Sequence, residues 1–255
     1  MKLPTEHEAI TKAAILCGGE GKRLRPLTQY FQKTMIPIGP KMRPLLEYVV
    51  KLMVYHGVPD IVLLSGYRGE EIERYFGDGA RFGARIRYSR DTEETGGSAQ
   101  ALMHAISEGK IGDFDELIVY YGDVLSALDV GAVLGKHRSA RADMTLVLSK
   151  NYAVPVGVAE VRGERIVGFR EKPNLGLDVT MGCLAMSKSC VTVLRRVTSR
   201  GEKRDIMGHL VPKVIERRKR VAPFYLDSFW YDVGSTEAFE RLDDVTLGMH
   251  MGFLD

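Results

Sequence analysis

The stretch Gly18-Gly19-Glu20-Gly21-Lys22-Arg23-Leu24-Arg25-Pro26-Leu27-Thr28 sets three glycines beside three cations. Glycine lets the backbone approach a ligand closely and take up positive φ. Successive N–H groups in such a loop cradle an anion, and Lys22, Arg23 and Arg25 add positive charge beside those donors. The chemistry this composition supports is the binding and placing of phosphate. Two familiar phosphate motifs are excluded. A P-loop needs Ser or Thr after the lysine and a glycine five positions before the second glycine; here Arg23 follows Lys22 and Leu16 stands at the glycine position. The dinucleotide fingerprint needs a third glycine where Leu24 stands. A turn whose glycines serve geometry alone fits the same residues. Asp123 follows an apolar run and Gly122, and a carboxylate there fits either a ligand site at a strand end or a turn that caps the next helix.

A phosphate loop needs rigid elements around it. Ala13-Ala14-Ile15-Leu16-Cys17 is a continuous apolar run that opens directly into the glycines, as a strand buried on both faces does. Residues 44 to 56 repeat apolar positions at helical spacing, with Pro44 at the start and Gly57 past the end. Ile61–Leu64, Ala84–Tyr88, Leu117–Tyr121 and Met144–Leu148 read as strands, and Glu70–Phe76, Ser98–Ser107 and Asp129–Arg138 as helices. Ser98 stands where an N-cap belongs. This alternation predicts an α/β fold, a doubly wound and mainly parallel sheet, through about residue 148. From about residue 149 the rhythm changes. Val156–Val161, Ile166–Arg170 and Thr180–Met186 read as strands with little helix between them, an antiparallel portion attached to the sheet. Helices return at Val191–Val197, Met207–Arg218 and after Ser235. No repeat or linker divides the chain, so residues 1–255 read as one domain with two functional halves.

Composition narrows the class. Of 255 residues, 45% are hydrophobic and 27% charged, with a net charge of +3. That balance builds an ordinary core and lacks the basic face of a nucleic-acid binder. Arg217-Arg218-Lys219-Arg220 sits at a helix end, where a solvated basic face complements the dipole. Cys17, Cys183 and Cys190 are too few and scattered for a disulfide framework or zinc site. No apolar run reaches the ~20 residues a bilayer span needs, and the start of the chain does not read as a signal peptide. We expect a cytoplasmic protein with no membrane and no nucleic-acid partner.

The glycine-rich stretch, followed by Lys33, Met35, Pro37 and Ile38, resembles the signature of the sugar-1-phosphate nucleotidyltransferases. These include glucose-1-phosphate thymidylyl-, uridylyl- and cytidylyltransferases and mannose-1-phosphate guanylyltransferases. The likeness continues through Gly122-Asp123, Glu171-Lys172-Pro173 and Trp230-Tyr231-Asp232-Val233-Gly234, nearly the whole chain. It departs from the pattern at Lys22, where the family usually has Thr, at Gln32 and Thr34, where prolines usually flank the lysine, and at Thr180-Met181-Gly182, in place of Asn-x-Gly.

The resemblance implies a Rossmann-like nucleotidyltransferase fold, with a nucleotide-binding half over about residues 1–148 and a sugar-binding half over about 149–255. The reaction it implies joins a nucleoside triphosphate to a hexose-1-phosphate and releases pyrophosphate. Asp123 and Asp232 would hold Mg²⁺, which accepts two carboxylates with substrate oxygens and water. Arg23 would clamp the β- and γ-phosphates with its paired donors, and Lys33 would contact the reacting phosphates. Gly18, Gly19, Gly21, Lys22, Thr95, Gly96 and Gly97 would bind nucleotide. Gly157, Glu171, Lys172 and Gly182 would receive the sugar phosphate, with Lys172 on the phosphate and Glu171 on hydroxyls. Thr95-Gly96-Gly97 is similar to the cytidylyl branch, so the expected base is a pyrimidine. A homo-oligomer is compatible with the family, and no C-terminal β-helix domain is expected after Asp232. Two other readings stand beside this one. A glycosyltransferase of related fold would carry Asp-x-Asp, whereas Leu125 lies two beyond Asp123. A non-catalytic regulatory relative need not keep Arg23, Lys33, Asp123 and Asp232 together.

Overall fold

The computed structural model describes residues 9–91, 96–199 and 202–255. The chain begins with β1 (Thr11–Leu16), a small pair β2 (Pro37–Ile38) and β3 (Arg43–Pro44), then α1 (Leu45–Tyr55), β4 (Asp60–Ser65), α2 (Gly69–Phe76) and β5 (Arg85–Arg90). Next come α3 (Ser98–Ser107), β6 (Glu116–Tyr121), β7 (Val124–Ser126), α4 (Val130–Ser139) and β8 (Met144–Ser149). The remainder is β9 (Val158–Arg162), β10 (Arg165–Arg170), β11 (Val179–Ser187), α5 (Val191–Thr198), α6 (Val211–Glu216), β12 (Val221–Tyr225), β13 (Trp230–Asp232), α7 (Thr236–Arg241) and α8 (Asp244–Met251).

Seven strands form the central sheet in the order β12-β8-β11-β6-β1-β4-β5. All neighbouring pairs are parallel except those that β11 makes with β6 and β8. The sheet is therefore mixed α/β and mainly parallel, as the alternation predicted. Successive strand residues face opposite sides. Ala13 and Ile15 join a core with residues of α1, α2 and α4, while Ala14 joins a second core with residues of α3, α5 and α6. Helices on both faces explain why β1 reads as unbroken apolar sequence.

Chain order decides where a ligand can sit. From β1 the chain moves outward to β4 and β5, then returns to the other side of β1 as β6. The crevice outside the strand C-termini at such a reversal is the binding position of open α/β sheets.

Several expectations are refined. β11 belongs to the middle of the central sheet, and β9–β10 alone form a separate antiparallel hairpin. β12 went unread because Pro223 interrupts Val221–Tyr225; it is an edge strand, where proline is tolerated. Ser98 does not cap α3. Gly97 holds that position at φ 107°, and the Ser98 hydroxyl instead accepts from the Ile206 N–H at 2.9 Å. The helix read at Met207–Arg218 is a π-turn, Ile206–Leu210, feeding α6. No helix among the described residues is long and apolar enough to cross a membrane.

Candidate active site

β1 and β6 run in parallel register to their ends, Leu16 opposite Tyr121, and the Gly122 N–H donates to Leu16 O at 2.9 Å. The glycine loop and Asp123 therefore leave the sheet side by side. They border a cleft of about 800 Å³ whose lining includes Gly18, Gly19, Lys33, Gly96, Gly97 and Asp123. Asp232 arrives from more than a hundred residues away through β13, which pairs antiparallel with β7 and sets Asp232 opposite Val124. The Val233 N–H donates to Asp123 O at 3.0 Å, locking the two aspartate segments together.

Two cations meet these carboxylates. Lys33, its side chain largely buried, forms an ion pair with Asp123. Arg23 reaches in from the glycine loop. A β-carbon at Gly234 would lie 2.9 Å from Asp232 Oδ1 and 3.2 Å from Arg23 Nη2, so both groups close on that glycine. Burial, and then the negative charge of Asp123, push the Asp232 carboxyl above the ordinary carboxylate range, while Lys33 and Arg23 pull it back. Two carboxylates brought together on paired strands, with a cation already against one of them, are a donor set that would suit a divalent ion. Among the described residues there is no group of three or more His, Cys, Asp or Glu that could hold a metal by itself.

The loop is shaped from beneath. Gly21 lies at φ 63°, and a β-carbon there would stand 2.7 Å from Thr28 Cγ2 and 3.0 Å from Lys33 Cβ. Thr28 Oγ1 donates to Gly21 O at 3.0 Å. Gln32 is fully buried. Its Nε2 donates to Cys17 O at 2.5 Å, and its Oε1 accepts from Thr34 N at 2.6 Å and Thr34 Oγ1 at 2.7 Å. The Gln32 N–H donates to Glu71 Oε2 at 2.9 Å, a bond proline could not make. The two residues that depart from the family pattern around Lys33 thus form the buried polar network that carries it. Two polar side chains flanking a lysine just before an apolar stretch were the available signal.

The other predicted residues divide. Gly18 makes a close backbone approach: a β-carbon there would be 3.0 Å from both Gly66 N and Asp91 Oδ2. Gly19 faces open space. Lys22 makes an exposed ion pair with Glu20 at 3.0 Å. Gly96 and Gly97 line the cleft; Thr95 lies outside the described residues. Gly182, at φ 79° in a register shift of β11, packs on Tyr121, itself a cleft residue, at 3.2 Å from its would-be β-carbon. Gly157 and Glu171 are neighbours, 3.0 Å from would-be β-carbon to Oε2. Lys172 lies 3.9 Å from Glu237. Gly157, Glu171 and Lys172 are exposed and stand apart from the cleft lining. Asp91, which sequence reasoning passed over, lines the cleft; an acidic residue just past a parallel strand was its signal. Cys17 also lines it, but burial pushes its thiol well above the usual range, so it is no nucleophile at neutral pH.

Comparison with known proteins gives a consistent result. Residues 12–247 match the profile of a family described as nucleotidyl transferase. The chain is 32% identical to a UTP–glucose-1-phosphate uridylyltransferase of Synechocystis, over 88% of this chain and 60% of the relative. It is 32% identical to a mannose-1-phosphate guanylyltransferase of Mycobacterium tuberculosis, over 90% and 62%. Against a D-glycero-alpha-D-manno-heptose 1-phosphate guanylyltransferase of Aneurinibacillus thermoaerophilus it is 33% identical, over 90% of this chain and 96% of that one. The chain thus spans about three fifths of the first two relatives. A Bacillus anthracis crystal structure, assigned as a glucose-1-phosphate thymidylyltransferase in complex with a sucrose, superposes with a TM-score of 0.70 at 22% identity, covering 91% of this chain and 93% of that one. With the profile running from β1 into α8, the chain belongs to the nucleotidyl transferase family.

Proposed function

We propose that the protein transfers a nucleotidyl group from a nucleoside triphosphate to a hexose-1-phosphate, releasing pyrophosphate. The observation that carries this reading is the meeting of Asp123, Asp232, Lys33 and Arg23 beside a glycine loop at the reversal of strand order. A sugar phosphate oxygen attacks the α-phosphorus; a new P–O bond forms as the bond to the β-phosphate breaks. The attacking phosphate is already ionised, so the reaction needs no general base. Its barrier is electrostatic and positional, because two polyanions must meet.

Within this reading Asp123 and Asp232 would hold Mg²⁺, which would supply positive charge against the phosphates. Lys33 sits beside the carboxylates and contacts the reacting phosphates. Arg23, at the mouth of the loop, grips the departing β- and γ-phosphates with paired donors. The loop amides from Gly18 to Lys22 cradle the polyphosphate, and Gly96 and Gly97 border the nucleoside. Gly182 admits the sugar ring against Tyr121. Lys172 and Glu171 take the sugar phosphate and hydroxyls from the second half of the chain, which requires the substrate to extend from the cleft to their exposed positions. Three buried free cysteines support a reducing, cytoplasmic setting. The test is a matrix of nucleoside triphosphates against sugar-1-phosphates, read as Mg²⁺-dependent pyrophosphate release. Release that requires both substrates is the expected result; hydrolysis of the triphosphate alone would overturn the reading.

A further inference from the structure

Lys33 opens a short turn, Lys33–Met35, and the segment from Gln29 to Gln32 carries the chain into it. Tyr30 and Phe31 in that segment are 70% and 41% exposed, so they give it no hold on the core. The hold comes from α2. The Gln32 N–H donates to Glu71 Oε2 at 2.9 Å. The other carboxylate oxygen, Oε1, pairs with Arg68 Nη2, and Arg68 Nη1 donates to Gln29 O at 2.9 Å. One carboxylate and one guanidinium at the start of α2 thus grip both ends of the segment. Their side chains are 28% and 22% exposed, so the pair is less screened than one on the open surface.

The grip is itself anchored. Ile72 and Phe76 of α2 are buried in the core that holds Ile61, Leu63 and Ile86. Arg68 lies at φ 55°, in the left-handed region that costs a non-glycine residue. Such backbone persists where its surroundings over-determine it, and it collects at functional sites. Just before Arg68, Gly66 and Tyr67 line the same cleft as Lys33, and the Tyr67 N–H donates to Gly18 O at 3.1 Å. α2 therefore ties the Lys33 turn to the glycine loop and to the cleft wall.

A backbone N–H at position 32 makes the grip possible, because proline has no such donor. Gln32 lies at φ −61°, a value proline also takes. The departure from the family pattern therefore adds the donor that Glu71 uses and keeps the backbone path. Neither Arg68 nor Glu71 lines the cleft.

We propose that Glu71 and Arg68 are positioning residues for the transfer: through Gln29 and Gln32 they fix the Lys33 ammonium against Asp123 and so set the turnover rate, touching no substrate themselves. This deepens the transferase reading and rests on it for the role of Lys33 at the reacting phosphates. An interaction that matters only as the phosphates react shows in kcat, with KM unchanged. The Lys33 side chain is 12% exposed and paired with Asp123, so it reacts slowly with an acylating reagent until the grip is released.

The experiment compares wild type, Glu71→Ala, Glu71→Gln, Glu71→Asp and the Arg68→Ala/Glu71→Ala double variant of the full chain. The readouts are Mg²⁺-dependent pyrophosphate release, acetylation of each lysine by acetic anhydride followed by peptide mass, and circular dichroism. Glu71→Ala should lower kcat by up to about 100-fold, the cost of a displacement near 1 Å, with both KM values little changed, and should speed acetylation of Lys33 selectively. Glu71→Gln keeps an acceptor for the Gln32 N–H and should recover most of the rate. The double variant should cost little beyond Glu71→Ala, since the pair works as one network. Glu71→Asp keeps the charge and withdraws the carboxylate by one methylene; it should show the same selective effect in smaller degree, and it carries the test if Glu71→Ala does not fold. Normal kcat and normal Lys33 acetylation in a folded Glu71→Ala or Glu71→Asp protein would overturn the proposal. So would a loss confined to KM, or faster acetylation spread over all lysines, which reports a loosened fold. Selective release of Lys33 in a protein whose wild type yields no pyrophosphate with any sugar-1-phosphate would sink the transferase reading and leave the grip on Lys33 standing.

Discussion

Gln32→Leu tests whether a buried polar network positions Lys33. Gln32 is fully buried, and its side chain makes three hydrogen bonds, one to Cys17 O and two from Thr34. Leucine keeps the volume and removes all three. At about 1 kcal/mol net per bond the loss is about 3 kcal/mol, rising to about 5 kcal/mol where Cys17 O and Thr34 N stay buried without partners. With an m-value of about 3 kcal/mol/M the urea midpoint falls by about 1 to 1.7 M. Lys33 lies between the two anchored residues, so its ammonium loses its fixed place against Asp123; a displacement near 1 Å costs about 100-fold in rate. The assay pairs urea unfolding by circular dichroism with pyrophosphate release under native conditions. Thr34→Val and the double variant complete a cycle, in which a coupling of about 1 kcal/mol is expected for residues in direct contact. A midpoint shift worth less than about 1 kcal/mol, together with an unchanged rate, would refute the idea that this network holds the loop.

Asp123→Asn and Asp232→Asn should each nearly abolish Mg²⁺-dependent pyrophosphate release with the circular dichroism spectrum preserved; near-normal turnover in a folded Asp232→Asn protein would remove the two-aspartate site. Lys172→Ala should chiefly raise the KM for the sugar-1-phosphate and Arg23→Ala that for the triphosphate, and a Lys172→Ala effect confined to the nucleotide KM would reverse the assignment of halves. The buried His137, bonded to Thr145 Oγ1 at 2.9 Å and Ser187 Oγ at 2.8 Å, has its pKa lowered below 6.5 by burial. Above about 6.5 it is neutral folded and unfolded; as pH falls below that value the unfolded chain takes up the proton first, so its stabilising contribution is lost on the way down to the lowered folded value. Urea midpoints between about pH 7 and about pH 5.5 should therefore fall more for wild type than for His137→Gln, and parallel slopes would contradict the assignment.

Much of this was legible locally. The apolar run Ala13–Cys17 ending in glycine specifies a doubly buried strand opening into a loop, because backbone periodicity and glycine freedom are properties of neighbouring residues. The alternation of strand and helix likewise specifies a mainly parallel sheet, and the ordered signature from Gly18 to Ile38 named the family that the profile match bears out. What lay beyond the sequence depended on long-range pairing. Asp232 meets Asp123 because β13 pairs with β7, a register that three-residue strands do not announce. β11 enters the sheet between β6 and β8 because burial across the whole sheet, not local pattern, decides strand order. Gln32 looked like a lapse from a motif until Cys17 O and Thr34 gave it partners. Asp91 was one acidic residue among 33 until the fold set its carboxylate against Gly18 in the lining of the cleft. Local sequence specified most of the elements and the glycine-rich loop; the tertiary structure alone decided which distant charges meet beside it, because that depends on distances the chain order does not contain.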